Sequence, residues 1–580
     1  MEKKSFDKKE VLRKVWNYLK KYRIAAMASI LLAVLVVILT LTLPVVIGQA
    51  IDAIIGPGEV NFELLKEKLW LLAGMTVSTC IFQWLMSRIN NSITYHVVKD
   101  IRKDVFSHLQ ILPLKYMDSH PTGDIVSRVI SDADQFSDGL LLGFSQLFTG
   151  IMTIVGTLFF MLFLHPVIAL VVVFLTPVSL LVAKYIAANT YHLFQEQSVL
   201  KGKQTTYVDE MIGNIKVVQA FLQEEKIKKK FDFMNENLEG CSLKAVFFSS
   251  LTNPCTRFVN SLVYGAVVVS GGIVAMKGGI SIGGLASFLS YAKQYTKPFN
   301  EISGVITELQ NSIACAGRIF SLLEERPQTE DKKDSFVLEA AKGEISFENV
   351  SFSYLPEQKL IRNFNLEVKP GQKIAIVGPT GCGKTTLINL LMRFYDVTKG
   401  TILVDGHEIS QITRESLRKN YGMVLQETWL EEGTVFENIA MGKQDATMEE
   451  VVAAAKASYC HNFIKRLPKG YDTYLSEDGG NLSQGQKQLI CIARIMLTLP
   501  PMLILDEATS SIDTRTEMKI QQAFGTLMKG RVSFIVAHRL STIQDADLIL
   551  VMKDGDIVEQ GNHTDLLLKK GFYAKLYYSG

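Results

Sequence analysis

The feature that most constrains what this chain can fold into is a set of long stretches without a single charged residue, all in its first half. Residues 24–51, 69–87 and 139–183 contain no Asp, Glu, Lys or Arg. A helix needs about 20 apolar residues to cross the hydrocarbon core of a bilayer. The 139–183 stretch is therefore read as two helices joined by a very short turn at His165-Pro166. Residues 258–276 make a fifth candidate and 278–292 a shorter sixth. One such run alone could be a buried core helix. Five with consistent charged flanks exclude that reading, and six crossings return the chain to the side on which it started.

Charge assigns that side. Residues 1–23 hold nine Lys/Arg against three Asp/Glu, whereas 52–68 hold four acids and two lysines. Excess Lys/Arg marks the cytoplasmic face, so both termini are expected in the cytoplasm of a multi-pass cell-membrane protein. Segments 88–138 and 184–257, charged and helix-friendly, then extend helices two to five as pairs beyond the bilayer, and the His165-Pro166 turn lies outside. The basic start has no small-residue cleavage site after its apolar run and reads as a retained helix, not a removed leader. No ionisable group lies inside the runs, which argues against proton or ion coupling. The expected route is lined by apolar and neutral polar groups such as Gln83, Ser145, Gln146 and Thr149, residue types that also serve as helix-packing contacts.

Overall charge and cysteines narrow the classes further. A net charge of +3 over 580 residues supplies no concentrated basic face, so nucleic acid is not an expected partner. The seven cysteines are scattered singly, without a CxxC pair, as suits a reducing cytosol.

Residues 324–342 are charged, contain Pro327 and lack apolar periodicity, and are read as a linker between a membrane domain, 1–323, and a soluble domain, 343–580. Beyond the linker, short β-branched strands alternate with helices, the pattern of a largely parallel sheet covered by helices. A buried strand over 373–377 runs into Gly378, Pro379, Thr380, Gly381, Cys382, Gly383, Lys384, Thr385 and Thr386, followed by a helical stretch to Phe394. This is GxxxxGK[ST] in strand–loop–helix context. Its backbone N–H groups and the positive end of the helix suit phosphates. Lys384 supplies a point charge to the β- and γ-phosphates, and Thr385 a hydroxyl to Mg2+. Residues 502–505 form a second apolar strand that ends in Asp506, placed to hold magnesium, and Glu507, placed to polarise an attacking water. A third piece, Asn481-Leu482-Ser483-Gln484-Gly485-Gln486, precedes a helix expected from about Lys487, and its small residues again suit a phosphate.

With these motifs in this order, the soluble half resembles the nucleotide-binding domain of ATP-binding cassette (ABC) transporters, and the whole chain resembles a half-transporter of the exporter type. The resemblance implies a six-span α-helical membrane domain followed by an α/β P-loop domain. It also implies roles for single residues. Tyr354 matches the aromatic that stacks on adenine. Gln426 matches the glutamine that contacts magnesium and water, Glu477 an acid that touches the membrane domain, Asp513 the dimer-interface loop, and His538 the switch histidine on the γ-phosphate. Segments 116–124 and 205–214 resemble the short coupling helices that dock on the cassettes.

In the family each ATP lies between the P-loop of one cassette and the LSGGQ-type loop of another, here Ser483, Gly485 and Gln486, so a second half-transporter is part of the chemistry. Gln484 departs from the family pattern by replacing the first glycine of that loop. An altered loop beside a retained Glu507 fits one half of a heterodimer, and a homodimer tolerating Gln484 is the alternative. The expected function is ATP-driven export of hydrophobic or amphipathic compounds by alternating access. A lipid or peptide translocator, or an ATP-gated regulator, are the alternatives on the same scaffold. The short stretch before the first helix disfavours peptide processing, and the presence of Lys384, Asp506, Glu507 and His538 together disfavours the regulator.

Overall fold

The computed structural model describes residues 8–54, 60–332, 334–355, 360–425, 428–476, 479–480, 482–506, 512–536 and 543–579. The chain divides into two compact units. The first comprises Met1–Ile111 and His120–Arg326, and the second comprises Pro327–Gly580 together with Leu112–Ser119.

The first unit is helical throughout its described length. Its helices are α1 (Lys8–Lys20), α2 (Arg23–Asp52) and α3 (Phe62–Leu109); then, after α4 (Leu114–Ser119) of the second unit, α5 (Thr122–Val129), α6 (Ser131–Leu142), α7 (Phe148–Leu164), α8 (Pro166–Gly213), α9 (Ile215–Ala220), α10 (Glu224–Ser250), α11 (Thr252–Met276) and α12 (Ile282–Leu323). A π-helical turn, Gly143–Leu147, joins α6 to α7. Backbone groups inside lipid must be satisfied within the segment, which is why the uncharged runs are helical. Arg23–Asp52, Phe62–Leu109, Thr122–Leu164 and Glu224–Met276 are long and apolar enough to cross a membrane. The 48 residues of α3 reach roughly 72 Å at 1.5 Å per residue, more than twice the hydrocarbon core. Asn61 starts α3 by accepting from Leu64 N at 3.0 Å. His165 alone, in extended conformation, separates α7 from α8, and Pro166 opens α8 at the position where a missing N–H costs nothing.

Helices α2 and α12 are zipped together at the Asp52 end. The Asp52 carboxylate accepts from Ser281 Oγ and from Gly283 N, both at 2.7 Å. Ser287 Oγ donates to Pro44 O at 2.7 Å, and Tyr291 Oη donates to Leu41 O. Gly48 faces Gly283 so closely that a Cβ on Gly48 would come within 2.4 Å of the Gly283 carbonyl oxygen. Towards its other end α12 meets α6, where Arg318 Nε donates to the buried Asp132 carboxylate at 2.7 Å. The apolar run that stops at Ala292 is thus only the first part of α12. It stops there because a lysine follows, and the helix does not stop with it but runs on through Lys293 and Lys297 to Leu323. The apolar runs themselves contain no Asp, Glu, Lys or Arg, and the helix that carries the sixth continues beyond its run. Ser145 and Thr149 donate to the Leu141 and Ser145 carbonyls of their own helical stretch, both at 2.6 Å, which commits their hydroxyl hydrogens locally.

The second unit holds two main sheets. Strands β1 (Ile345–Phe352), β2 (Ile361–Val368), β4 (Lys399–Val404) and β5 (His407–Glu408) form an antiparallel sheet of order β2-β1-β4-β5. Strands β3 (Lys373–Val377), β6 (Tyr421–Val424), β9 (Met502–Asp506), β10 (Val532–Val536), β11 (Leu548–Lys553) and β12 (Asp556–Gly561) form the other, of order β12-β11-β3-β10-β9-β6. All its pairings are parallel except β11 with β12. Strands β7 (Gly433–Thr434) and β8 (Tyr474–Leu475) pair separately. The described helices are α13 (Lys384–Leu391), α14 (Arg414–Lys419), α15 (Val435–Ala440), α16 (Met448–Ala457), α17 (His461–Ile464), α18 (Gln484–Thr498), α19 (Thr514–Met528), α20 (His563–Leu568) and α21 (Phe572–Ser579). Alternation along β3 divides the core in two. Ile374 and Ile376 pack with residues of the antiparallel sheet, Ala375 and Val377 with those of α16, α18 and α19.

The segment read as a linker is fastened to this unit from Pro327 onward. Asp331 accepts from Arg414 N at 2.7 Å and pairs with the guanidinium groups of Arg414 and Arg393. Phe336 N donates to Gln411 O at 2.7 Å, and Ala341 N to Asn420 Oδ1 at 2.9 Å.

Candidate nucleotide site

The central strands of the six-stranded sheet are parallel, so their C-terminal ends share one edge, the usual place for a ligand crevice in such folds. Strand β3 ends there at Val377 and β9 at Asp506, with β10 between them ending at Val536. The loop after β3 closes on Gly383, whose φ of 104° lies in the region that glycine alone adopts cheaply, and α13 starts directly behind it at Lys384. Its described end is Leu391 rather than Phe394, and the backbone of Arg393 turns left-handed at φ 49°.

A cavity of about 490 Å3 opens on this edge. Thr380, Gly381, Gly383, Lys384, Thr385, Thr386, Asp506 and Tyr354 line it, with Leu360 and Val536. Lys384 is buried, and its ammonium donates to the carbonyls of Gly378 at 2.8 Å and Pro379 at 2.9 Å, which ties the loop to its own helix. Thr385 is exposed and Thr386 buried, so of the two hydroxyls Thr385's is the accessible one. Asp506 is buried at its strand end. Cys382 is buried behind the loop, and burial pushes its thiol up from the ordinary range. Asn389 Nδ2 donates to Tyr354 Oη at 3.2 Å, and the Tyr354 ring meets Phe352 and Tyr395 edge-on, both at 5.0 Å. Tyr395 in turn donates to Asp118 of α4. The sequence motifs carry no signal for Asn389, Leu360, Val536 or Tyr395.

The third sequence motif is a separate helix start, and its described residues, Leu482 to Gln486, are not among those that line this cavity. Ser483 and Gln486 form a reciprocal cap: Ser483 Oγ accepts from Gln486 N at 3.4 Å, and Gln486 Oε1 accepts from Ser483 N at 3.0 Å. That cap lets α18 begin at Gln484, three residues before the expected start. A Cβ on Gly485 would lie 2.5 Å from Thr516 Cγ2 of α19, so position 485 has no room for a side chain. Position 484 has room, and Gln484 Nε2 donates to Thr428 Oγ1 at 3.1 Å. Asp513 caps α19 by accepting from Thr516 N at 3.0 Å, and that N–H holds its carboxyl below the usual range.

Gln426, Glu477, Glu507 and His538 lie outside the described residues. The strands β6, β9 and β10 that precede Gln426, Glu507 and His538 in the sequence all end on the edge that carries the cavity. Of the two segments read as coupling helices, 116–124 spans the end of α4 and the start of α5, and α4 belongs to the second unit. Segment 205–214 forms the end of α8.

Family comparison agrees with this geometry. Residues 26–299 match the ABC transporter transmembrane region, and residues 361–510 match the ABC transporter cassette. The chain is 40% identical over 576 residues to the ABC transporter ATP-binding protein YfiC of Bacillus subtilis (strain 168), covering 99% of this chain and 95% of that one. It is 41% identical over 521 residues to a fatty acid ABC transporter ATP-binding/permease protein of Mycobacterium bovis, covering 90% of this chain and 82% of that one. Among solved structures, a bacterial Atm1-family ABC exporter with ATP bound superposes with a TM-score of 0.78 at 27% identity, covering 97% of this chain and 98% of that one. A helical transmembrane domain followed in one polypeptide by a cassette with a P-loop cavity at its parallel strand ends makes this chain a member of the ABC transporter family, a half-transporter of the exporter type and an ATPase coupled to transport.

Proposed function

We propose that the chain, paired with a second half-transporter, exports hydrophobic or amphipathic compounds by alternating access driven by ATP hydrolysis. The observation that carries this reading is the single cavity that joins Tyr354, the phosphate loop and Asp506. In it the adenine ring stacks on Tyr354, and Lys384 turns from the Gly378 and Pro379 carbonyls to the β- and γ-phosphates. Thr385 and Asp506 are hard oxygen donors on one cavity wall, with Gln426 following β6, and together they fit magnesium. Bound there, magnesium neutralises charge on the phosphate oxygens. Glu507 takes a proton from the attacking water and His538 holds the γ-phosphate. Ser483, Gly485 and Gln486 present the start of α18 to the nucleotide of the partner cassette, and Asp513 stands at the dimer interface.

In this reading residues 1–323 are the membrane domain, 324–342 the linker and 343–580 the cassette, with both termini cytoplasmic by the Lys/Arg excess at the start of the chain. Exposed Phe221 and Leu222, just after α9, are an apolar tip for docking on the partner's cassette. A fatty acid transporter among the relatives fits an amphipathic cargo.

Gln484 beside Glu507 favours a heterodimer in which this chain's P-loop and Glu507 face an intact partner loop. The bond from Gln484 to Thr428 favours the alternative, a homodimer, because it keeps the extra side chain within its own cassette. ATPase assay of the chain expressed alone decides between them: robust Mg-ATP turnover by a stable homodimer removes the heterodimer. Export itself is tested by ATP-dependent movement of an amphiphile in proteoliposomes, and no movement of any amphiphile by the assembled, ATP-hydrolysing pair would overturn it.

A further inference from the structure

Helix α12 carries two lysines, Lys293 and Lys297, just beyond its apolar run. The Asp52 carboxylate bonded to Ser281 and Gly283 places the start of α12 level with the end of α2. Lys293 lies 12 residues beyond Ser281, roughly 18 Å at 1.5 Å per residue; with the Asp52 level taken as the outer edge of a hydrocarbon core about 30 Å thick, that is near its middle. Two contacts fix the level of this part of α12 against its neighbours. Tyr291 reaches Leu41 O, near the middle of α2, and Lys293 Nζ lies 5.0 Å from the ring centroid of Tyr264, at the middle of α11. Lys297 is one helical turn away on the same face, and both lysines are exposed on the surface of the first unit.

This placement is costly. An ammonium at the centre of a crossing costs about 2.5–3.5 kcal/mol on insertion scales, and like charges four residues apart on a helix repel. Lys297 has Glu301 four residues further on, whereas the helix neighbours of Lys293, at 289, 290, 296 and 297, include no acid. The other uncharged runs, 24–51, 69–87, 139–183 and 258–276, offer no carboxylate at this depth. Tyr264 gives Lys293 a ring face, which stabilises the cation without neutralising it. Asn260, one turn from Tyr264, and Gln294, next to Lys293, each hold a buried amide oxygen without a hydrogen-bond partner among the described residues. The level of Lys293 is therefore more polar than its own chain satisfies. Both oxygens are buried, so of the groups at this level it is the exposed ammonium of Lys293 that can meet a ligand.

We propose that Lys293, with Lys297 beside it, is the headgroup subsite of the transport path and takes an amphiphile with an anionic carboxylate or phosphate head, the tail lying along the apolar helices. This rests on the export reading above and narrows its cargo from amphipathic compounds in general to anionic ones.

The test is binding of cis-parinaric acid and of its methyl ester, followed by probe fluorescence, to the assembled transporter in phosphatidylcholine nanodiscs. The acid should bind more tightly than the ester. Lys293→Gln should lose about tenfold or more for the acid, the worth of one charge-assisted hydrogen bond, and little for the ester, which also reports that the variant is folded. Lys293→Arg should keep the preference. Equal binding of acid and ester to the wild type, or an undiminished acid preference in Lys293→Gln, would overturn the proposal. Phosphatidylglycerol nanodiscs separate the sources of the anion: if that lipid displaces the acid, the head is a bilayer lipid's, and if it does not, the ligand is a free amphiphile. Equal ATPase stimulation by acid and ester sinks the Lys293 assignment alone. If no amphiphile, charged or neutral, is stimulated or moved, the export reading itself fails.

Discussion

Lys384 donates to two carbonyls of its own loop, which hold its ammonium at the cavity until phosphate oxygens replace them. Lys384→Ala removes a charge-assisted partner of the phosphates, worth about 1.5–3 kcal/mol. Nucleotide affinity measured by titration should fall by about tenfold or more, and unchanged affinity would contradict the assignment. Glu507→Gln alters only the water-activating group. ATP binding should persist while turnover drops by about a hundredfold or more, and wild-type hydrolysis in that variant would remove Glu507 from its role. Cys382 gives a pH-dependent prediction. Its thiol is pushed up by burial, so at any given pH less of it is thiolate than in a free cysteine. Iodoacetamide labelling of Cys382 should therefore trail a model thiol at neutral pH and gain on it only as the pH rises above the ordinary thiol range, and bound ATP should slow it further. Labelling at neutral pH faster than the model thiol would refute the buried placement.

Among elements, the α2/α12 seam rests on a contact no motif announces. A Cβ on Gly283 would fall 1.9 Å from the Gly48 carbonyl oxygen, so Gly283→Ala must push two helices apart. Overpacking of this kind costs about 1–3 kcal/mol. The variant should unfold at lower temperature in detergent than wild type, while Gly74→Ala, with open space at its Cβ, should not; equal melting of the two would show the seam to be slack. Element boundaries were legible where local chemistry is strong. The His165-Pro166 turn and the strand before the phosphate loop follow from one proline and one run of β-branched residues. They were misread where partners distant in sequence decide. The apolar run of α12 ends before Lys293 while the helix continues to Leu323, because backbone hydrogen bonding does not depend on apolar side chains. Helix α18 starts earlier than composition indicates because the Ser483–Gln486 cap is a side-chain bond.

For the whole molecule, order along the chain was the most legible level. Uncharged runs, a charged break and three phosphate-binding pieces in sequence were enough to indicate an exporter half. Which side chains complete the cavity was not, because Leu360 and Val536 reach it only through the fold, Leu360 just before β2 and Val536 at the end of β10 between β3 and β9. The central claim is that ATP cleavage at a two-cassette site drives movement through helices of the same polypeptides. The most direct measurement is simultaneous ATPase and amphiphile transport by the assembled transporter in proteoliposomes, wild type against Glu507→Gln. The wild type should hydrolyse Mg-ATP, faster with substrate, and move the substrate only with ATP, while the variant binds ATP and moves essentially none. Undiminished transport in the variant, or transport without any nucleotide, would contradict the account.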